Sequence, residues 1–257
     1  LEEQFPKQKA NIGEEVLRVE GLGRSGELAN VSFSLRRGEV LGIAGLLGSG
    51  RTELARVLFG AARADSGAIF VRGRRQEFKS PRSAIRLKIG FLTEDRKSHG
   101  LLLKLSLKDN ICLPSVAAFS RLGIMNVKRE SEAALRYVRQ LGIRTTGLKQ
   151  RVMFLSGGNQ QKVVLSKWLC SNAEILILDE PTRGIDVGSK VEVYQWINRL
   201  TAQGVAILMI SSELPEILGM SDRILVMRRG TIAGEFPADQ ATQEKILQCA
   251  LGSYGEA

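Results

Sequence analysis

Aromatic residues make up only 5% of the 257-residue chain, and there is a single histidine. So few rings argue against a base-stacking surface for single-stranded nucleic acid. The three cysteines, Cys112, Cys170 and Cys249, are far apart and odd in number. That fits neither a metal site nor a disulfide framework, so buried or partly buried free thiols in a reducing cytosol are expected. No apolar run approaches the roughly 18 to 20 residues that cross a bilayer. The opening LEEQFPKQKANIGEE lacks the apolar stretch of a signal peptide. A membrane role must therefore come from docking onto another protein. Acidic residues are in deficit, with 27 Asp and Glu against 37 Lys and Arg, a net charge of +10. That balance suits nucleic acid, anionic lipid headgroups or an anionic nucleotide equally. The basic residues are dispersed, with short clusters only at Arg72, Arg74 and Arg75 and at Arg228 and Arg229.

What is present is globular: 44% hydrophobic and 25% charged residues, enough for one large domain or a domain with an inserted lobe. Residues 1–13 lack periodicity and read as a linker, with the domain covering 14–257. Val31, Phe33 and Leu35 alternate as in a strand, and Val16, Leu17 and Val19 are strand-like before them. EVLGIAG (39–45) is a short buried strand; after a glycine-rich turn, Leu54, Val57 and Leu58 fall at helical spacing. Residues 66–79 suggest β-structure turning at Arg72-Gly73. Residues 107–142 read as mostly helical. The unbroken apolar runs before Asp179 and in VAILMIS (205–211) read as buried strands. Between them Val191, Tyr194, Ile197 and Leu200 mark a helix closed by Gly204. ILVMRRGTIAGEF (224–236) suggests a hairpin turning at Arg229-Gly230. Apolar strands alternating with helices predict an α/β fold with a mainly parallel sheet covered on both faces.

Two motifs carry chemistry. Gly45-Leu-Leu-Gly48-Ser49-Gly50-Arg51-Thr52 fits G-x-x-x-x-G-K-[ST] except that arginine replaces lysine. Glycines there let backbone N–H groups close around phosphates, and the following helix adds its positive end. Thr52 offers a hydroxyl to Mg²⁺. Arg51 is bulkier than lysine and forks its donors, so binding is expected to survive better than catalytic geometry. The second motif is Asp179-Glu180 at the end of a buried strand. Asp179 is expected to orient Mg²⁺ and Glu180 to polarise an attacking water; the alternative is a pair of helix-capping carboxylates beside Pro181-Thr182.

Between them stands Leu155-Ser156-Gly157-Gly158-Asn159-Gln160-Gln161-Lys162, which resembles the signature of ATP-binding-cassette (ABC) ATPases. Physically it is a turn of small residues opening a helix, in which Ser156 and the N–H groups of Gly157 and Gly158 can approach a phosphate. The resemblance runs from about Val16 to Gly252. It implies a P-loop, RecA-like core, a small antiparallel β-subdomain and a helical subdomain near 95–160. It also implies head-to-tail pairing with a second cassette, each signature capping the γ-phosphate in its partner's pocket, and Gly184-Ile185-Asp186 resembles the loop that crosses that interface. The arginine cradle, Thr93-Glu94-Asp95-Arg96-Lys97 and Asp179-Glu-Pro-Thr-Arg183-Gly184-Ile-Asp186-Val-Gly188 resemble the second half of ribose, galactose and xylose importer ATPases. The opening QFPKQ resembles the linker between halves.

The resemblance makes ATP and Mg²⁺ the expected ligands. Gly45, Gly48, Ser49, Gly50, Arg51 and Thr52 would bind nucleotide with Glu94, Asp179 and Ser212, and Ser156, Gly157 and Gly158 would serve the partner. Thr52, Glu94 and Asp179 would hold the metal, and Glu180 would be the catalytic base. The chain would sit on the cytoplasmic side of the inner membrane, beside permease subunits and, indirectly, a sugar-binding protein. Three departures stand out. Glu94 replaces a glutamine and adds negative charge near the triphosphate. Ser212 stands where a switch histidine is usual, and serine cannot reach or charge as histidine does. No aromatic residue lies near Leu22–Arg24, where adenine usually stacks. A degenerate pocket with weak hydrolysis of its own is therefore expected, with an intact signature serving the partner. The sole histidine, His99, reads as a solvated loop residue. The rival readings are a non-transport cassette acting on ribosomes or nucleic acid, and a purely regulatory, non-hydrolytic cassette. No basic stripe supports binding to nucleic acid.

Overall fold

The computed structural model describes residues 5–8, 11–121 and 124–253. In chain order the elements begin with β1 (Glu15–Arg24), β2 (Leu28–Arg36), β3 (Val40–Gly45), α1 (Arg51–Leu58), β4 (Ser66–Val71) and β5 (Arg74–Gln76). Then come α2 (Pro81–Arg86), β6 (Ile89–Leu92), α3 (Leu107–Cys112), α4 (Val116–Phe119), β7 (Ser120–Arg121), β8 (Ile124–Met125), α5 (Val127–Gln140) and α6 (Gly157–Cys170). The last are β9 (Ile175–Asp179), α7 (Val187–Ala202), β10 (Ala206–Ile210), α8 (Leu214–Met220), β11 (Arg223–Arg228), β12 (Thr231–Pro237) and α9 (Gln243–Leu251).

Six strands form the central sheet in the order β12-β11-β3-β10-β9-β6. All are parallel except β12, which returns antiparallel on β11. Every residue of β9 and β10 is buried, as a sheet covered on both faces requires. Their Ile and Leu side chains pack with those of α1, α6 and α7 in one continuous core. A second, antiparallel sheet has the order β2-β1-β4-β5. The turns expected at Arg72-Gly73 and Arg229-Gly230 are present, and all four residues have positive φ, the backbone that a tight two-residue hairpin demands.

The stretch 107–142 is less helical than its composition suggests. Pro114 has no N–H for the Asn110 carbonyl, so the ladder of α3 cannot pass it. A 3-10 turn, the one-turn α4 and the β7–β8 hairpin follow. Of the apolar face expected from Ala134, Leu135, Val138 and Leu141, α5 and its C-terminal cap bury Ala134, Val138 and Leu141, while Leu135 is exposed; Asn126 caps the first turn by accepting the Arg129 N–H at 3.0 Å.

Of the segment expected to be a linker, residues 1–4, 9 and 10 lie outside the described residues. The rest is docked. The Phe5 ring lies 5.3 Å from that of Tyr194. The Gln8 N–H donates to Asn198 Oδ1 at 3.1 Å, and Lys7 pairs with Asp222 at 2.9 Å. Gly219 leaves room for the ring, since a Cβ there would stand 2.5 Å from Phe5 Cγ.

Candidate functional site

The glycine-rich turn follows β3 and opens α1, so the expected strand–turn–helix context is present. Gly48 and Gly50 have φ of 75° and 100°, a backbone that L-residues strongly avoid. At Gly45 a Cβ would lie 2.5 Å from the Met227 carbonyl oxygen. The turn is held from below by the β11–β12 hairpin, where the Gly230 N–H donates to the Ser49 carbonyl at 2.9 Å.

Parallel pairing of β3, β10 and β9 brings the ends of three strands to one edge. There Gly48, Ser49, Gly50, Arg51, Thr52, Glu94, Asp179, Glu180 and Ser212 line one cavity of about 630 Å³. Gly45, the last residue of β3, does not line that cavity. Asp179 and Glu180 cap no helix. The next helix, α7, is capped by Asp186, which accepts the Ser189 N–H at 3.0 Å.

Burial pushes the Asp179 carboxyl up to about 6, against the pull of the Thr52 hydroxyl and Arg51. The Thr52 hydroxyl faces this carboxylate, yet both carboxylate oxygens are buried without a hydrogen bond of normal geometry. Ser49 Oγ is likewise buried and unpartnered. An uncompensated buried acid beside a hydroxyl fits a hard divalent cation. Among the described residues no cluster of three His, Cys, Asp or Glu side chains forms a protein-only metal cage.

Glu180 sits at φ 51°, and burial also raises its carboxyl. Ser212 Oγ donates to Glu180 Oε2 at 3.1 Å. Serine therefore does reach the acid at the switch position, although it cannot carry histidine's charge. Arg51 Nη1 donates to the Ser211 carbonyl at 2.8 Å, so one arm of its fork is committed to the protein. Glu94 lines the cavity but is paired with Arg183. That pairing offsets the extra negative charge expected at Glu94. Arg183 was quoted in the sequence only as part of a motif, and its signal was a basic residue three positions after Glu180.

Ser156 is exposed at the start of α6, where its hydroxyl accepts from Asn159 Nδ2 at 2.9 Å. Gly157 and Gly158 lie on the chain's own loop after Glu180. A Cβ on Gly157 would stand 3.0 Å from the Gly184 carbonyl oxygen, and one on Gly158 would stand 2.5 Å from Ser189 Oγ. Close intramolecular packing thus favours glycine at both positions, independently of any approach to phosphate.

The ABC transporter family matches residues 28–183 of this chain. The chain belongs to that family. As an ATP-binding cassette it is 50% identical to the Ribose import ATP-binding protein RbsA 2 of Streptomyces coelicolor, over 99% of this chain and 49% of that protein. It is 48% identical to the Ribose import ATP-binding protein RbsA of Bacillus subtilis (98% and 51%). It is 50% identical to the Xylose import ATP-binding protein XylG of Thermoanaerobacter pseudethanolicus (98% and 52%). The cassette spans about half the length of these curated relatives. Its fold matches a crystal structure of an ATP-binding cassette of an ABC transporter with a TM-score of 0.78 and 24% identity, over 94% of this chain and 99% of that one. A nucleotide-free cassette superposes with a TM-score of 0.75 at 22% identity, over 93% and 96%. The mainly parallel sheet with its antiparallel subdomain is therefore the ABC cassette fold. No helix among the described residues is long and apolar enough to cross a membrane.

Proposed function

We propose that this cassette is the second ATP-binding half of a two-cassette sugar importer ATPase, with a degenerate pocket of its own and a signature that completes its partner's pocket. One observation carries the reading. Asp179, Glu180 and the Gly45–Thr52 turn meet around one cavity, while Ser156 faces solvent. The relatives' names supply ribose and xylose as the class of cargo.

Backbone N–H groups of the Gly48–Thr52 turn and the first turn of α1 would hold the ATP phosphates. Thr52 and Asp179 would hold Mg²⁺, with Glu94 bordering that site. The metal would neutralise charge between the phosphates. Glu180, whose carboxyl is raised by burial, would take the proton of an attacking water, and Ser212 would orient that carboxylate. Arg51 commits one donor to Ser211, which tethers its fork and leaves fewer donors for phosphate than a free arginine would offer. Catalysis of this kind rests on positioning and electrostatic clamping, so a missing switch cation and a tethered Arg51 both slow it. Ser156 and the start of α6 would close over nucleotide held by the first cassette. ATP binding would close the pair, and hydrolysis would reopen it. The helical lobe and the loop 94–107 would pass that movement to a permease helix at the cytoplasmic face of the inner membrane, beneath an external sugar-binding protein.

The test is ATP turnover by the two-cassette protein carrying either Glu180→Gln or Ser156→Arg. Glu180→Gln is expected to leave most of the turnover intact, and Ser156→Arg is expected to abolish it. The opposite pattern would place catalysis in this chain's pocket. Unchanged turnover in both would leave a cassette that neither hydrolyses nor serves a partner.

A further inference from the structure

The segment after β6 enters the helical lobe through a π-helical turn, Arg96–Gly100, capped by Asp95, which accepts the Lys97 and Ser98 N–H groups at 3.0 and 3.1 Å. Arg96 does not pair with a carboxylate in hydrogen-bonding contact. Its Nη1 donates to the Arg183 carbonyl at 2.8 Å and its Nη2 to the Gly184 carbonyl at 3.0 Å. Two successive carbonyls thus occupy two arms of one planar fork. The same guanidinium lies against the signature, for a Cβ on Gly157 would stand 2.9 Å from Arg96 Nη2.

Three pieces of chain meet here. The loop 181–186 follows the acid pair, α6 carries the signature, and the segment 94–96 places Glu94 on the wall of the candidate nucleotide cavity. The loop and α6 are joined by Gln161, which donates to the Pro181 carbonyl at 2.5 Å. The loop and the third piece are joined twice, by the Glu94–Arg183 ion pair and by Arg96 on the two carbonyls. The π-turn is fastened back to α6 by Lys167, which donates to the Gly100 carbonyl at 2.6 Å. Glu94 and Arg183 are 40% and 63% exposed in their side chains, so that pair is solvent-screened and weak. The paired carbonyl bonds of Arg96 are charge-assisted and stronger.

We infer that Arg96 is a positioning residue, a clasp that holds the Arg183–Gly184 backbone and the Ser156–Gly158 turn in one register with the segment after Glu94. This deepens the reading in which that turn closes a partner's pocket. A shift of the segment at Glu94 is then handed to the signature through Arg96, without passing through the sheet. Lysine cannot substitute, because a single ammonium does not span two carbonyls as a flat fork does.

The experiment has two arms, each with Arg96→Lys and Arg96→Met. In this chain alone, amide hydrogen exchange is followed at residues 157–161 and 183–186. Loss of two charge-assisted bonds is expected to speed exchange in both segments by at least about tenfold, equally for Lys and Met, while exchange in β9 and β10 stays as in the wild type. In the two-cassette protein, kcat for ATP is expected to fall about tenfold with KM within a factor of two, as when a contact that the Ser156–Gly158 turn makes only in the partner pocket's transition state is weakened. Wild-type exchange in either segment, or recovery by Arg96→Lys, would overturn the clasp, since general packing or charge would then suffice. Faster exchange with unchanged kcat would overturn its positioning role. Failure of the partner-pocket reading shows separately, as turnover insensitive to Ser156→Arg.

Discussion

At the residue scale, buried charge marks where ordinary core rules are suspended. Lys167 is buried in α6 with the Gly100 carbonyl as its hydrogen-bond acceptor, its ammonium 4.6 Å from the Trp168 ring centre. Burial brings it down to about 8 from the ordinary 10.5. A base whose folded pKa is depressed costs stability in its charged form. That cost is fully present below pH 8 and is relieved as pH rises from about 8 toward 10.5, because the unfolded chain still binds the proton there and the folded chain does not. Lys167→Met removes the buried charge, worth up to about 3 kcal/mol, and forfeits the bond to Gly100, worth about 1 kcal/mol. The variant is therefore expected to be more stable than wild type by about 2 kcal/mol at pH 7. The gap should close by pH 9.5 to 10 in urea unfolding. A difference independent of pH would mean that Lys167 keeps its ordinary pKa in the folded protein and stays charged across this range. Nothing in the sequence singled out Lys167, because position 167 differs from its apolar neighbours only by an ammonium that the fold happens to enclose. Asp179 and Glu180 were legible because two acids ending an apolar strand have no structural purpose that a sheet interior can serve.

At the element scale, the sequence announced those pieces whose local chemistry allows one outcome. A G-x-x-x-x-G turn after a buried strand, and Arg-Gly between alternating strands, leave the backbone little choice. Within residues 107–142 the break after α3 is written in Pro114, whereas the seating of the 3-10 turn that follows is decided by what packs beneath it, the Ser115 hydroxyl donating to the Cys170 carbonyl at 3.0 Å. The docking of residues 5–8 was equally silent, because a polar segment with one Phe reads as linker until Gly219 is seen to make room for its ring. Phe5→Ala tests whether that segment is part of the folded unit. An aromatic side chain 9% exposed, stacked on Tyr194 at the edge of the core, is worth about 2 kcal/mol, below the roughly 3 to 5 kcal/mol of a central one. The expected result is a lower urea midpoint with an unchanged slope. A midpoint equal to wild type would show that the contact with α7 and α8 contributes nothing.

At the scale of the whole molecule, the segments that follow β3, β6, β9 and β10 and the start of α1 all border one cavity whose charges are unbalanced without a ligand. Arg51 enters it from one side with one arm tied to Ser211; Asp179 and Glu180 enter from another, raised by burial. Stability of the chain should therefore report occupancy directly. A ligand that binds only the folded state adds RT ln(1 + [L]/Kd), about 2.7 kcal/mol at a hundredfold excess over Kd. ATP alone brings phosphate charge toward Asp179 without the cation that would offset it, and Mg²⁺ alone lacks the phosphate oxygens that complete its shell. The two together are expected to raise the thermal midpoint by more than the sum of their separate effects. Asp179→Asn removes an uncompensated buried charge, so the ligand-free variant should melt above wild type, and its response to ATP should no longer depend on Mg²⁺. If the variant melts lower without ligand and keeps the Mg²⁺-dependent increment, Asp179 is a structural acid and the metal is held elsewhere.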